Sequence, residues 1–378
     1  MSAERAELDE KAARVERVLG EAALAGVIIG AQHNFAWITG GGTNRVDGSR
    51  EAGAGALLLG RGGRRYVLAS VIEMPRLMAE EVAGQGYEPV EFPWEEERAT
   101  PSFLVDTARR VLGGSEPIGA DLPLASAAAA EARLTRARAR LTGAEQARLR
   151  QLGRDAGEAL GEVCRGLEPG LSELQIARRS ADALAARGAR TIVNLVAADE
   201  RIALYRHPAP SARRWERTVM VVACAQREGL VVSLTRIVSA GPAADDLRRR
   251  TRATAGVMGR LLGATRPGAT GRRLYEEAAR AYAEAGFPGE QRKHHQGGAC
   301  GYRTRDWVAH PGSDDVVDTP QAFAWNPSIT GTKVEETVLA LGDDDGVEVV
   351  TSTPGWPAIA VDAGGATVEM PDVWSRED

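Results

Sequence analysis

Two apolar runs in the middle of the chain constrain the fold more than any other feature of the sequence. Residues 219–224 and 229–234 are apolar and rich in β-branched valine, and the polar Gln226, Arg227 and Glu228 lie between them. Two such runs around a polar turn predict an antiparallel hairpin or meander. Long segments with helical patterns flank this pair, at residues 144–165, 171–187, 244–262 and 271–285. Helices that alternate with antiparallel strands predict an α+β domain whose helices pack on one face of a sheet.

The N-terminal part of the chain has a different pattern, in which helices alternate with short strands. At 378 residues the chain is long enough to bury two separate cores. Helices are predicted at residues 8–24, 73–82 and 125–141, and strands at residues 26–30, 56–59 and 66–69. We therefore predict two domains, residues 1–142 with an α/β fold and residues 143–378 with the α+β fold.

Composition and charge exclude several classes of function. The net charge is -5, which gives no electrostatic drive toward nucleic acid or anionic lipid. No segment approaches the roughly 18 apolar residues of a membrane span, and the polar N-terminus lacks a signal-peptide pattern. We expect a cytoplasmic protein with no nucleic-acid or membrane partner. The cysteines, Cys164, Cys224 and Cys300, are odd in number and include no Cys-x-x-Cys pair, so we expect reduced thiols.

Several short segments between residues 10 and 360 share the order and spacing of motifs of one known family. They are Phe35-Ala36-Trp37-Ile38-Thr39-Gly40, Glu168-Pro169-Gly170-Leu171-Ser172-Glu173, Gly229-Leu230-Val231-Val232-Ser233-Leu234-Thr235-Arg236, His294-His295-Gln296-Gly297-Gly298-Ala299, Trp325-Asn326-Pro327 and Gly331-Thr332-Lys333-Val334-Glu335. These segments resemble the creatinase/aminopeptidase P family (M24, "pita-bread" peptidases). The resemblance implies a pita-bread C-terminal domain preceded by a smaller α/β domain. It also implies a homodimer.

The family's metal ligands are mostly replaced in this chain. The resemblance places two aspartates, a histidine and two glutamates at positions that here hold Val222, Ser233, Ala299, Asn326 and Glu335. Three negative charges and one imidazole are thereby lost, and divalent cations need anionic oxygen to offset their desolvation. We therefore expect no metal and no other cofactor. A rearranged mononuclear site built from His207, His294, His295 and Glu335 is the alternative, because sets of histidine and glutamate bind zinc.

Histidines are the predicted catalytic groups. His207 matches the histidine that serves as general acid/base in the metal-free reaction of creatinase, and His295 matches the first histidine of the family's HG-x-x-H motif. We predict that His207, His295 and Glu335 are catalytic, although Glu335 can equally serve as an ion-pair partner of Lys333. Histidine suits proton transfer near neutral pH.

Further polar residues near these motifs are predicted to bind the substrate. Arg303 and Arg305 carry planar guanidinium groups that suit a substrate carboxylate, and Asn326 can orient a substrate or donate to an oxyanion. The resemblance implies that Arg45 contributes to a partner subunit's site. The complete predicted substrate-binding set is His294, Tyr302, Arg303, Arg305, Asn326 and Arg45.

The predicted function is a metal-independent, creatinase-like enzyme that acts on a small carboxylate-bearing C–N compound, most simply by hydrolysis. Creatine itself fits poorly, because the two creatinase carboxylate positions correspond to Thr235 and Asn326. Two alternatives stay open at the sequence level. One is a binding or interaction module with a pita-bread fold and no activity, and the other is a mononuclear metallopeptidase.

Overall fold

The computed structural model describes residues 3–342 and 346–376. The chain falls into two compact units, Met1–Ala144 and Glu145–Asp378. The sequence analysis placed its domain boundary between residues 142 and 143.

The N-terminal unit is built around a mixed six-stranded sheet in the order β4-β3-β2-β1-β5-β6. Its elements are α1 (Ala3–Glu21), β1 (Gly26–Ala31), α2 (Gln32–Ile38), β2 (Ala52–Gly60), β3 (Arg64–Ser70), α3 (Met74–Arg76), β4 (Glu88–Phe92), α4 (Trp94–Ala99), α5 (Phe103–Leu112), β5 (Ile118–Ala120), β6 (Ala128–Ala129) and α6 (Glu131–Ala139). A 3₁₀ turn at Arg61–Gly63 joins β2 to β3, and a π-helical turn at Leu77–Glu81 continues α3. This unit is an α/β fold.

One helix prediction in this unit is wrong in part. Residues 125–141 were predicted as one helix, but Ala128–Ala129 form the edge strand β6 and the helix α6 begins only at Glu131. The strand pairs with β5 in parallel, and the N–H of Ala130 donates to the carbonyl of Ala120. Pairing with the sheet edge overrides the strong helix propensity of the alanines.

The C-terminal unit combines long helices with several antiparallel sheets. Its elements are α7 (Gly143–Arg165), α8 (Glu173–Ala185), β7 (Arg190–Ala198), α9 (Arg201–Leu204), β8 (Thr218–Arg227), β9 (Leu230–Ser239), α10 (Asp245–Ala264), α11 (Gly271–Glu284), β10 (Gly297–Cys300), β11 (Gln321–Trp325), β12 (Ser328–Ile329), β13 (Thr332–Lys333), β14 (Glu336–Gly342), β15 (Gly346–Val349), β16 (Ala358–Asp362), β17 (Thr367–Pro371) and β18 (Trp374–Ser375). A 3₁₀ turn lies at Glu290–Arg292.

Two four-stranded sheets organise this unit, in the orders β18-β9-β8-β7 and β10-β11-β14-β15. The predicted hairpin is formed by β8 and β9, and Glu228 and Gly229 at its turn have the positive φ that a tight connection requires. The helices α10 and α11 pack on the second sheet through one apolar cluster that includes Leu261, Tyr282 and Phe323. The prediction of an α+β C-terminal domain preceded by a smaller α/β domain is confirmed.

Helix ends follow their sequence signals. Ser172 begins α8 with a capping box, in which its hydroxyl accepts from the N–H of Gln175 and the Gln175 side chain accepts from the N–H of Ser172. Thr270 caps α11 by a single hydrogen bond, in which its hydroxyl accepts from the N–H of Arg273. None of the helices in residues 3–342 and 346–376 combines the length and the apolar character needed to cross a membrane.

Candidate active site

Three histidines come together in the C-terminal unit. His207 lies in the loop after α9, and His294 and His295 directly precede Gln296 and the strand β10. The Nε2 atoms of His207 and His294 are 3.1 Å apart, and the rings of His294 and His295 stack with centroids 4.5 Å apart. His207 is exposed, His294 is buried and His295 is half-buried. We call these residues the histidine cluster.

A buried hydrogen-bond chain holds the two adjacent histidines in place. The Gln296 side chain donates to the carbonyl of His294 (2.6 Å) and accepts from the hydroxyl of Tyr282 (2.7 Å). The same Tyr282 oxygen accepts from the N–H of Ser328 (2.7 Å). The position of His294 is therefore fixed by α11 and by the start of β12.

The two glycines after the histidines allow neighbouring backbone to pack closely against β10. A Cβ on Gly297 would lie 2.1 Å from the carbonyl oxygen of Ala324, and one on Gly298 would lie 2.1 Å from that of Trp307. No larger residue fits at this spacing. The close approach that the sequence indicated is thus to neighbouring protein backbone, in β11 and in the loop at residue 307.

His207 is positioned by the arginine before it. Arg206 donates to the carboxylate of Glu290 (2.8 Å) and to the hydroxyl of Thr330 (2.8 Å). Glu290 in turn accepts from the N–H of Thr330 (3.0 Å). The loop that carries His207 is therefore tied to the turn before the other two histidines.

A charged group of three residues lies beside the histidine cluster. The Nζ atom of Lys333 is 2.7 Å from Oε2 of Glu335, which also accepts from the hydroxyl of Thr235 (2.7 Å). Nη2 of Arg305 lies 3.6 Å from Oε1 of Glu335. Only 5% of the Lys333 side chain, 3% of the Glu335 side chain and 14% of the Arg305 side chain are exposed.

These cations and the surrounding protein keep the imidazoles neutral. Burial, followed by the charge of Lys333, lowers the pKa of His294 to about 2, and burial followed by Arg305 lowers the pKa of His295 to about 4. Burial and Lys333 also lower the pKa of His207. Burial alone would raise the pKa of Glu335, but Lys333 and then Arg305 hold it below its ordinary value. At neutral pH the site therefore combines a carboxylate, two cations and neutral histidines.

The other residues predicted to bind substrate differ in burial and in hydrogen-bond partners. Asn326 is buried, and its Oδ1 has no hydrogen-bond partner within the described residues. Tyr302 is buried and its hydroxyl donates to Glu145 of α7 (2.7 Å). The carbonyl of the half-buried Arg303 accepts from the N–H of Gly301. Arg45 lies in the N-terminal unit, where its N–H donates to the Thr43 hydroxyl. The roles predicted for these residues stay predictions.

The cysteines are free and buried. Burial raises the pKa of Cys300, the cysteine nearest the histidine motif, to about 12. A thiol with so high a pKa supplies very little thiolate at neutral pH, which disfavours Cys300 as a nucleophile.

One residue of the site entered the sequence analysis only as an ion-pair partner. Lys333 is two positions before Glu335, and residues at i and i+2 of an extended chain face the same side. That spacing was the available signal for their pairing. No comparable signal indicated Arg206, because its partners Glu290 and Thr330 are distant in sequence.

The comparisons with known proteins identify the family. Residues 147–352, more than half of the chain, match the family model described as Metallopeptidase family M24. The chain belongs to this family. A comparison with curated proteins gave no match.

Solved structures show the same fold at low sequence identity. Dipeptidase PepE from Mycobacterium ulcerans is 21% identical with a TM-score of 0.77, and the match covers 94% of this chain and 98% of that one. The Xaa-Pro dipeptidase from Bacillus anthracis is 19% identical with a TM-score of 0.74, covering 92% and 98%. The N-terminal domain of the FACT complex subunit SPT16 from Cicer arietinum is 11% identical with a TM-score of 0.68, covering 91% and 96%.

The residues that the sequence resemblance places at the family's metal-ligand positions do not fit a pair of dications. Val222 lies on β8 in an apolar cluster with Met220 and Ile237. The Ser233 hydroxyl donates to the sulfur of Cys224 (3.1 Å), and Ala299 is packed inside β10. Of the five positions, Glu335 alone offers a carboxylate, and that group is already neutralised by an ammonium. Two metal ions would lack the anionic ligands that offset their desolvation.

The histidine cluster has a different donor set. Its candidate ligand nitrogens all lie within 4.8 Å of one another, and three neutral imidazoles suit zinc by residue type. Lys333 and Arg305, whose charges act on these imidazoles, oppose the binding of a cation there.

Proposed function

We propose that this member of family M24 hydrolyses a C–N bond in a small carboxylate-bearing compound, without a dinuclear metal centre. An amino-acid amide, a cyclic amidine or a dipeptide-like metabolite belongs to this class. The observation that carries the proposal is the setting of the histidine cluster. Its neutral imidazoles lie beside the side-chain cations Lys333 and Arg305, where the family's chemistry would require metal-binding carboxylates.

Proton transfer by histidine is sufficient for the proposed reaction. One imidazole accepts a proton from water as the water oxygen bonds to the substrate carbon. That same proton then passes through the second imidazole to the substrate nitrogen as the C–N bond breaks, so that an amine leaves and both imidazoles are neutral again. We assign these steps to the exposed His207 and the half-buried His295.

The buried His294 positions His207 in this scheme. The 3.1 Å contact between their Nε2 atoms requires that one ring carries its proton on Nε2 and the other accepts it. This contact restricts the tautomer and the orientation of His207. Glu335, whose Oε2 is engaged by both Lys333 and Thr235, holds the ammonium in place in this scheme.

The test is a panel of amino-acid amides, amidines and dipeptides assayed with chelator-treated protein. We expect turnover that the chelator does not remove. His207→Asn and His295→Asn should each lower kcat by roughly a hundred- to ten-thousandfold, the usual contribution of a general acid or base. The exposed His310, outside the cluster, provides the matched control in His310→Asn. Turnover that disappears with chelator and returns with added metal would contradict the proposal.

A mononuclear metallopeptidase is the second candidate, and the three converging imidazoles favour it. In that case one equivalent of zinc binds, and His294→Asn abolishes both zinc binding and peptide hydrolysis. A folded protein that turns over no member of the panel, with or without metal, points instead to a binding or interaction module.

The proposal also includes a cytoplasmic homodimer, which rests on composition and on the family resemblance. Light scattering of the purified protein tests the dimer. If Arg45 of the partner subunit completes the site, Arg45→Ala lowers kcat and leaves the dimer intact.

A further inference from the structure

Two adjoining cavities lie against the sheet of the N-terminal unit. The outer cavity has a volume of about 470 Å³ and the inner cavity a volume of about 180 Å³. Arg50, Glu97 and the strand segment 52–54 line both cavities, so the two meet at these residues. Because an apolar cavity of about 150 Å³ can hold a benzene ring, the inner cavity has room for a large amino-acid side chain.

The cavities lie at the carboxyl ends of the parallel strands. β1 pairs with β5 in parallel and β3 pairs with β4 in parallel, while β2 runs antiparallel to both β1 and β3. The strands β1, β3, β4 and β5 therefore point the same way, and Gly30, Ser70, Phe92 and Asp121 line the cavities at or beside their ends. A crevice at this edge of an open α/β sheet is a common place for a ligand.

Small residues on β2 create the inner cavity. Ala54, Ala56 and Leu58 share one face of this strand, and Leu58 packs in the apolar core of the unit, whereas the two methyl groups leave space unfilled. Large apolar side chains complete the wall, namely Ile28, Leu68, Phe92, Leu104, Leu122 and Leu124. The inner cavity therefore suits an apolar group.

Three charged side chains stand where the cavities meet or at the outer cavity. Arg50, Glu97 and Arg98 form neither an ion pair nor a side-chain hydrogen bond within the described residues. Withdrawal from water raises the pKa of Glu97, and the charges of Arg98 and Arg50 oppose this rise, so the three groups act on one another. They offer two guanidinium groups to an anion and one carboxylate to a cation.

Ser70 adds a buried polar group to the outer cavity. Its side chain is on the same face of β3 as Leu68 and is only 7% exposed, and its hydroxyl has no hydrogen-bond partner in the part of the chain that the structure describes. In contrast, both oxygens of Asp121 accept from backbone N–H groups of β1. A buried hydroxyl is costly to leave unpaired. Ser70 therefore indicates a place for a polar ligand atom, whereas Asp121 serves the fold.

We propose that the two cavities together bind a free α-amino acid with an apolar side chain. The side chain occupies the inner cavity, the carboxylate meets Arg50 and Arg98, and the ammonium group meets Glu97. A carboxylic acid without an amino group fits less well, because Glu97 repels its charge and gains no partner. All of these residues belong to the N-terminal unit, so the site is separate from the histidine cluster and goes beyond the proposed hydrolysis.

Fragments of one amino acid test which of its parts are recognised. L-phenylalanine is titrated into the full-length protein by isothermal calorimetry, beside 3-phenylpropanoate, 2-phenylethylamine and glycine, which lack the ammonium group, the carboxylate and the side chain in turn. We expect L-phenylalanine to bind at least roughly tenfold more tightly than each fragment. A fragment that binds as tightly as L-phenylalanine, or no binding of L-phenylalanine and L-leucine at millimolar concentration, overturns the proposal.

Variants place the binding in the N-terminal unit. Arg50→Gln and Glu97→Gln should each weaken L-phenylalanine binding by roughly ten- to a hundredfold, and Ala54→Leu should abolish it by filling the inner cavity. Arg17→Gln and Glu96→Gln are the matched controls, because both side chains are exposed and line neither cavity, and they should leave binding unchanged. The two charge variants carry the test if Ala54→Leu does not fold.

The outcomes separate this site from the proposed function. An amino acid is also a product of the hydrolysis proposed for dipeptide-like compounds, so His295→Asn is titrated as well and should bind L-phenylalanine as the wild-type protein does. Binding that is lost in His295→Asn and kept in Arg50→Gln overturns the N-terminal site even if hydrolysis is found. Binding that depends on Arg50 and Glu97 supports the site even if no compound of the panel is hydrolysed.

Discussion

Two neighbouring buried carboxylates, Glu335 and Glu336, have opposite surroundings. Their partners Thr235 and Arg236 are also neighbours, on β9, where successive side chains point to opposite faces of the strand. Each face of this strand thus holds one glutamate. The comparison between them contrasts two buried glutamates that have different sets of partners.

Glu336 belongs to a closed set of interactions. It is 2.8 Å from Nη1 of Arg236 and accepts from the hydroxyl of Thr351. Arg236 also donates to the carbonyl of Thr351 (2.9 Å) and to the hydroxyl of Thr353 (2.9 Å). The Glu336 carboxylate therefore has a cation and a hydroxyl as partners within the protein, and this pair links β9 to the segment after β15.

Glu335 belongs to an open set. Its single negative charge faces Lys333 and Arg305, and the Nε of Arg305 has no partner within the described residues. Under the proposed function Glu335 belongs to the site, and burial and ion pairing alone then do not distinguish it from a structural carboxylate such as Glu336. The distinguishing feature is whether charge and donors are balanced by the protein itself.

Breaking the closed set should have the largest effect on stability. Arg236→Met leaves the Glu336 carboxylate buried without its cation, and such a loss typically costs about 3–5 kcal/mol of unfolding free energy. Urea denaturation measures the change. Arg178→Met is the control, because Arg178 forms an exposed ion pair with Asp182 on α8 and its removal should change stability little. If the two variants lose the same free energy of unfolding, the structural role assigned to Arg236 is wrong.

We expect a smaller effect of pH on stability, and it should run in opposite directions at His295 and at Glu336. Burial lowers the pKa of His295 to about 4, with Arg305, His207 and Lys333 adding to the shift and Glu335 opposing it. As pH falls, the unfolded chain therefore takes up a proton on His295 before the folded chain does. The stability that neutral His295 contributes above about pH 6.5 is lost as pH falls toward about 4.

Burial raises the pKa of Glu336 to about 7 against the influence of Arg236. Its contribution is present below about pH 4.5 and is lost as pH rises toward about 7.

Urea midpoints between about pH 4.5 and about pH 7.5 test this contrast. The stability difference between the wild-type protein and His295→Asn should shrink toward acid pH, and the difference for Glu336→Gln should shrink toward neutral pH. If both stability differences shrink in the same direction of pH, one of the two assigned pKa shifts is wrong.

Most of the fold was predictable from the sequence, because apolar and helical patterns are local and the family motifs imply the architecture. The valine-rich runs predicted the β8–β9 hairpin, and the helical pattern at residues 171–187 predicted α8. The error at residues 125–141 arose because β6 exists only by pairing with β5, a contact between segments that local propensity does not describe.

The site was less predictable. His207 and His294 are 87 residues apart, so the sequence alone could place them together only through the family resemblance. The burial of Lys333, the long Arg305–Glu335 separation and the unpartnered Asn326 oxygen depend on how β12, β13 and β9 pack. No pattern along the chain reports such distances.

The proposed function requires that the protein works without the family's pair of metal ions. Elemental analysis of the purified protein, before and after incubation with manganese, cobalt or zinc and gel filtration, tests it most directly. We predict less than about a tenth of an equivalent of any of these metals per chain, because the donor set lacks anionic ligands. Two equivalents that remain bound after gel filtration and are lost in Glu335→Gln would contradict the account.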